Sequence, residues 1–297
     1  MPQIQTNTQT NIQRSFLPGS SWVYFKIYCG STTANIILLQ VLYPLIAQWL
    51  ETSTIKSWFF IRYTDPDNHL RLRLWVPEKT NISTVLTAVE QNLAPYLEQD
   101  LIWKVQLDTY HRELERYGNS TMEVSETLFF QDSQTIVHAL DLMEDSTLKL
   151  LFALRNIDQL LADFGCNTTE KLAFVQQNGT YFKTEFRADK SVNKQLDRKY
   201  RKHRAAIENF MTLTSHEDYA PLLGLLSEKS KALAPIVKFI KTHERNNTLD
   251  VPIPKLLASY VHMFLNRYYD NRQRLHEMVC YDFLIRYYRG VIGKEND

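Results

Sequence analysis

The chain has 297 residues, 44% of them hydrophobic and 23% charged, with a formal net charge of +1. That length can bury a sizeable core as one large or two small domains, and a charge so close to zero gives no global attraction to nucleic acid or acidic membranes, so direct nucleic-acid binding is not expected. The three cysteines (Cys29, Cys166, Cys280) are scattered and form no CxxC pair, which argues against a disulfide scaffold or zinc site and fits a reducing cytoplasm.

Residues 1–18 are polar and rich in Gln, Thr and Asn, with neither a basic start nor an apolar stretch. They read as a disordered tail rather than a signal peptide, and no later run is expected to supply the roughly eighteen apolar residues that a bilayer crossing needs. Trp22–Tyr28 has strand composition. After Gly30-Ser31-Thr32, residues 33–50 carry a helical apolar pattern with Ser31 or Thr32 as cap. Trp58–Trp75 (WFFIRYTDPDNHLRLRLW) holds two apolar-aromatic runs around a Thr-Asp-Pro-Asp-Asn turn, a β-hairpin signature. Asn81–Leu97 reads as a second helix and Leu101–Thr109 as a fourth strand. The order βαββαβ over residues 19–118 predicts a ferredoxin-like α+β unit, an antiparallel sheet with both helices on one face. From about residue 120 strand patterns stop. Helices are expected at 134–163, 169–186, 191–211, 218–244, 254–272 and 275–289, so 119–297 forms a helical part packed on the open sheet face in one compact unit.

In the hairpin's second strand, Leu70, Leu72 and Leu74 alternate with His69, Arg71 and Arg73, so the two sets face opposite ways. Two arginines on one face at this spacing lie roughly 7 Å apart, close enough to share an anionic ligand, although a half-exposed strand with solvated arginines fits the same pattern. YHRELERYG (110–118) carries Arg112, Glu113 and Arg116; as a helix it places Glu113 and Arg116 one turn apart, while as a strand it places Arg112 and Arg116 on one face. In VHMFLNRYY (261–269), His262 lies beside an apolar stripe, with Ser259 and Asn266 on neighbouring turns. A histidine there is usually structural, yet it suits proton transfer near neutral pH. The basic run 187–204 reads first as a solvated helix face and second as a peptide- or RNA-contacting one. The sequence has no glycine-rich phosphate loop, HExxH, GxSxG or dinucleotide fingerprint, and its motifs call for no metal or organic cofactor.

With WVYFKIY, WFFIRYTDPDNHLRLRL, YHRELERYG, LDRKYRKHR and VHMFLNRYY in this order, residues 20–290 resemble the C-terminal elimination domain of lantibiotic dehydratases, also called the thiopeptide-type bacteriocin biosynthesis domain. The resemblance implies maturation of a ribosomally made precursor peptide (leader plus core). In the full-length enzymes an N-terminal region esterifies Ser or Thr with glutamate from glutamyl-tRNA. The C-terminal domain then eliminates the glutamate, leaving dehydroalanine or dehydrobutyrine. By motif position the essential arginines fall on Arg71, Arg73 and Arg116, the acidic partner on Glu113 and the essential histidine on His262. The arginines would clamp the glutamyl group, and His262 would transfer a proton. Arg62, His69 and Arg112 are further substrate-binding candidates.

The sequence contains no glutamylating region, so a separate tRNA-dependent glutamylating subunit is the expected partner. The resemblance also implies two alternatives: the formal [4+2] cycloaddition of a pyridine synthase on a dehydroalanine-containing thiopeptide precursor, and a non-catalytic peptide-binding subunit of a split dehydratase. A cycloaddition has no glutamate to clamp, so retention of the whole polar set favours elimination.

Overall fold

The computed structural model describes residues 12–143 and 145–295. Eleven residues of the expected polar tail, 1–11, lie outside the described ones. The tail's last residues are ordered differently from that expectation: Ser15–Phe16 form a short strand, β1, paired with β6 (Tyr110–His111).

The main sheet consists of β2 (Trp22–Cys29), β3 (Ser57–Thr64), β4 (Asn68–Trp75) and β5 (Ile102–Leu107), antiparallel throughout in the order β3-β4-β2-β5. Between β2 and β3 the chain runs through α1 (Ser31–Ile36), a π-helical stretch (Ile37–Leu42) and α2 (Tyr43–Glu51); α3 (Asn81–Glu98) links β4 to β5. The register pairs Leu70, Leu72 and Leu74 with Ile27, Phe25 and Val23 on one side and with Arg62, Phe60 and Trp58 on the other. These residues form the buried face beneath the helices. Alternation then sends Tyr24, Lys26, His69, Arg71, Arg73, Ile61 and Tyr63 to the opposite face. One end of that second face is closed by the β1–β6 ribbon, whose Phe16 and Tyr110 join Trp22 and Trp75 at ring separations of 5.3–6.2 Å.

Ser31–Glu51, contrary to expectation, is long and apolar enough to reach what a membrane crossing requires, at 21 residues and a mean hydropathy of 1.4. Its Ile37, Leu38, Leu42, Ile46 and Trp49 are instead buried in the core.

The remaining chain is helical: α4 (Leu114–Tyr117), α5 (Met122–Asp141), α6 (Ser146–Asp163), α7 (Thr168–Glu185), α8 (Lys190–Thr212), α9 (Ala220–Arg245), α10 (Ile253–Tyr268) and α11 (Gln273–Glu295). The expected single helix 134–163 is two. Asp145 caps α6 by accepting from the backbone N–H of Leu148 at 2.9 Å and from that of Thr147, which starts a new helix.

The helical part meets the sheet at its edge strand β3, where Phe59, on the same face as Arg73, packs on Phe129 of α5 at a ring separation of 5.4 Å. An edge strand leaves backbone groups unpaired, and here side chains of α5 and α10 satisfy them. Ser133 Oγ accepts from the Phe60 N–H at 3.3 Å, Asn266 Oδ1 accepts from the Arg62 N–H at 3.1 Å, and Arg267 Nε donates to the Phe60 carbonyl at 2.7 Å.

Candidate active site

Arg71 and Arg73 share the open sheet face, as alternation requires, and aromatic rings hold both. The Arg71 guanidinium lies 3.5 Å from the centroid of Tyr63. Arg73 lies 4.4 Å from that of Tyr24 and 4.8 Å from that of Tyr110. Stacking on a ring face stabilises a cation and fixes its plane. Neither arginine has a carboxylate within salt-bridge distance among the described residues. Lys26 stands beside Arg71 in the register, itself ion-paired to Asp108. Burial raises the Tyr24 phenol, Arg73, Arg71 and Lys26 pull it down, and Asp108 pushes it up, so four charges converge on this hydroxyl. The sequence reading missed Tyr24, Lys26, Tyr63 and Asp108, because only the strand order reveals which residues flank the arginines.

His69 is buried and serves Arg71 rather than standing free for substrate. Its Nδ1 bonds to the Asp67 carbonyl at 2.8 Å, so Nδ1 carries the hydrogen and Nε2 accepts from Arg71 Nε at 3.0 Å. The neutral ring fits this arrangement: burial lowers the His69 pKa, and Arg71 and Lys26 add to the shift.

Two of the expected substrate contacts have protein partners instead. Arg112 is buried and clamps Glu126 with both a 2.8 Å and a 2.7 Å hydrogen bond, while donating to the Gln13 carbonyl at 3.0 Å. Tyr110 donates to the same Glu126 carboxylate at 2.8 Å. Three of the five guanidinium donors are thus engaged, and the buried carboxylate neutralises the charge that a ligand would need. Arg62 lies on the helix-covered face, opposite Arg71 and Arg73. It donates to the Arg267 carbonyl at 2.9 Å and to Asn35 Oδ1 at 2.6 Å, tying β3 to α10 and α1.

YHRELERYG combines both readings of its shape, a two-residue strand and then the single turn α4. Gly118 ends it at φ +77°, and a Cβ there would lie 2.9 Å from the Asp250 Cβ; only glycine takes both the conformation and the space. On α4, Arg116 donates to Ser259 Oγ of α10 at 3.1 Å and to Glu113 at 3.5 Å. Glu113 is largely exposed and Arg116 partly so. Ser259 precedes His262 by three residues, so Arg116 touches the turn of α10 next to the histidine. His262 Nδ1 lies 2.8 Å from an oxygen of Glu277, a buried residue of α11. A carboxylate accepts, so Nδ1 carries a hydrogen, and Nε2 is the ring nitrogen that Glu277 leaves uncontacted.

Arg267 connects the two groups of cations. Burial lowers its pKa to about 10 against the pull of Asp132, and Arg73 and Arg116 add to the fall. The structure thus assembles Arg71, Arg73 and His69 on the sheet, and Glu113, Arg116 and His262 at the α4–α10 junction, with Arg73 and Arg116 both acting on Arg267. Arg62 and Arg112 are withdrawn into the scaffold.

An antiparallel sheet near the N-terminus, a helical part clamped to its edge strand, and two ring-stacked arginines without carboxylate partners among the described residues define a mixed α/β protein whose sheet presents a pair of cations on one face. The chain belongs to the lantibiotic biosynthesis dehydratase C-terminal family, whose sequence profile matches residues 22–288. It is 24% identical over 289 residues to the subtilin biosynthesis protein SpaB of Bacillus subtilis, covering 94% of this chain and 26% of SpaB. The chain therefore spans about a quarter of that relative's length. Among solved structures, the tRNA-dependent lantibiotic dehydratase MibB from Microbispora sp. 107891 superposes with a TM-score of 0.73 at 19% identity, over 94% of this chain and 29% of MibB. The pyridine synthase TbtD from thiomuracin biosynthesis superposes with a TM-score of 0.70 at 13% identity, over 92% of this chain and 99% of TbtD.

Proposed function

We propose that this chain eliminates glutamate from glutamylated Ser or Thr side chains of a precursor peptide, leaving dehydroalanine or dehydrobutyrine. The observation that carries the reading is the pair Arg71 and Arg73: two guanidiniums on one face, oriented by aromatic rings, with no carboxylate in ion-pair reach among the described residues. Buried arginines elsewhere in the chain, such as Arg112, already hold one.

In the reaction the α-proton of the esterified residue goes to a base, the Cα–H electron pair becomes the second Cα–Cβ bond, and the Cβ–O bond breaks. The electrons of that bond leave with glutamate as a carboxylate. Arg71 and Arg73 stabilise the departing charge, with Arg116, held by Glu113 and Ser259, as the third cation. His262 moves the proton through Nε2, and Glu277 keeps its tautomer and orientation.

The strand order and the helices on one face support a ferredoxin-like reading of residues 19–118. The side-chain clamp on β3 supports reading 119–297 as packed against it in one unit. The partners of this activity are the precursor peptide, leader plus core, and a tRNA-dependent glutamylating subunit. The absence of any disulfide among the described residues fits the cytoplasm.

Arg71→Ala tests the clamp, because Arg71 is partly exposed and its loss spares the fold. With a glutamylated peptide as substrate, elimination should fall by about 100-fold or more while thermal unfolding stays near that of the parent. Normal dehydration by this variant would sink the assignment.

The superposition over almost all of TbtD favours a second reading, cycloaddition between two dehydroamino acids. It predicts that a peptide already carrying two dehydroalanines cyclises in the presence of this chain alone.

A further inference from the structure

Away from the arginine site, α6, α8, the turn between α10 and α11 and the start of α11 line a half-open cavity of about 220 Å³. Lys149, Lys199, His203 and His276 line it, together with the Ser146 and Thr147 hydroxyls and the Asn271 amide. Its one acid, Asp270, is already shared, lying 3.7 Å from both Lys149 and Arg62. Lys199, His203 and His276 have no carboxylate within ion-pair distance among the described residues. His276 is also fixed in plane, stacked on Tyr269 at 3.8 Å with an 8° tilt.

The outer side of α8 continues the pattern. Lys190, Lys194, Arg198 and Lys202 recur every four residues, all exposed, and none has an ion-pair partner among the described residues. By contrast, Arg201 and Arg204 of the same helix are paired to Asp197 and Glu208. A four-residue step advances about 6 Å along a helix, so the unpaired cations form a ridge of about 18 Å beside the cavity.

We propose that this cavity is a binding site for a phosphoryl group. A carboxylate offers two acceptor oxygens and a single charge. A phosphoryl group offers three strong acceptor oxygens and up to about two charges, which suits cationic donors arriving from three elements with hydroxyls between them. The group comes either as free phosphate or as part of a phosphodiester chain running along the α8 ridge.

The histidines report occupancy. His203 faces Lys199 and Lys202 on its own helix and Asp145 ahead of α6. His276 faces Lys199 of α8, Lys149 of α6, and Asp270 and Arg272 of the α10–α11 turn. Burial first, and then these lysines, hold both imidazoles below their usual range. An anion among them favours protonation, so binding strengthens as pH falls from about 8 to about 6.

The test titrates the full chain with inorganic phosphate while following the imidazole proton resonances of His203 and His276. A second arm measures binding of a short mixed-sequence RNA duplex across salt concentrations, with a polyglutamate peptide as the charge control. Phosphate should shift both histidines and raise their titration midpoints. Lys199→Ala, at an exposed position, and His203→Gln, at a half-buried one, should each weaken phosphate by about tenfold.

If the phosphate belongs to a polymer, Lys194→Ala with Arg198→Ala leaves phosphate binding intact, weakens the duplex, and reduces the salt slope by about 2. If the source is free phosphate, the duplex is indifferent to those changes. Histidines that respond to neither probe would overturn the proposal, as would polyglutamate binding as tightly as the duplex and displacing it.

Discussion

At the scale of single residues, similar side chains carry opposite duties according to what surrounds them. Arg73 and Arg112 are both buried and both stack on rings, yet one lacks a carboxylate and the other grips Glu126. Removing one member of a buried ion pair strands the other charge, at a cost of about 3–5 kcal/mol. Arg112→Ala should therefore lower stability by about that amount in urea denaturation, and Arg112→Met with Glu126→Leu should recover most of it. A loss below about 1 kcal/mol for the single variant would remove Arg112 from the scaffold and return it to the site. His69, His203 and His276 set the acid limb of stability. Burial lowers the pKa of each in the folded protein, so the unfolded chain takes up their protons first. Their contribution is complete above the unfolded value of about 6.5 and is lost as pH falls through it toward the folded values. The urea midpoint should drop between about pH 7.5 and about pH 5.5, and less steeply in His69→Gln; an unchanged slope in that variant would clear His69 of the effect.

At the scale of elements, the β3–β4 hairpin shows what was legible in the chain and what was not. Alternation along His69–Trp75 correctly separated the leucine face from the arginine face, because the period of a strand is local information. The roles of Arg62 and Arg112 were hidden, because their partners are set by packing: the carbonyl that holds Arg62 is 205 residues away. The break between α5 and α6 was legible in principle, since Asp145-Ser146-Thr147 is a helix-start sequence. The apolar periodicity running from one helix into the next masked it. The Ser133 and Asn266 caps on the β3 edge carry no sequence signature, yet they join sheet to helices. Asn266→Ala leaves the Arg62 N–H without its acceptor, which should cost about 1–3 kcal/mol and raise hydrogen exchange at β3 first. Destabilisation spread evenly over the sheet would mean that Asn266 is not an edge cap.

At the scale of the whole molecule, α10 connects the parts. Its Ser259 meets Arg116, its His262 meets Glu277 of α11, and its Asn266 and Arg267 hold β3. The arginine-bearing sheet and the histidine-bearing helix are thereby held in one frame, as the proposed elimination on a single substrate requires. Glutamate expulsion by this frame can be followed by intact-mass analysis of a chemically glutamylated Ser or Thr peptide with its leader, incubated with the protein. Elimination predicts that the mass falls to that of the dehydrated peptide, with free glutamate released in equal amount. A glutamyl ester that stays intact, beside a dehydroalanine peptide that the same protein cyclises, would contradict it.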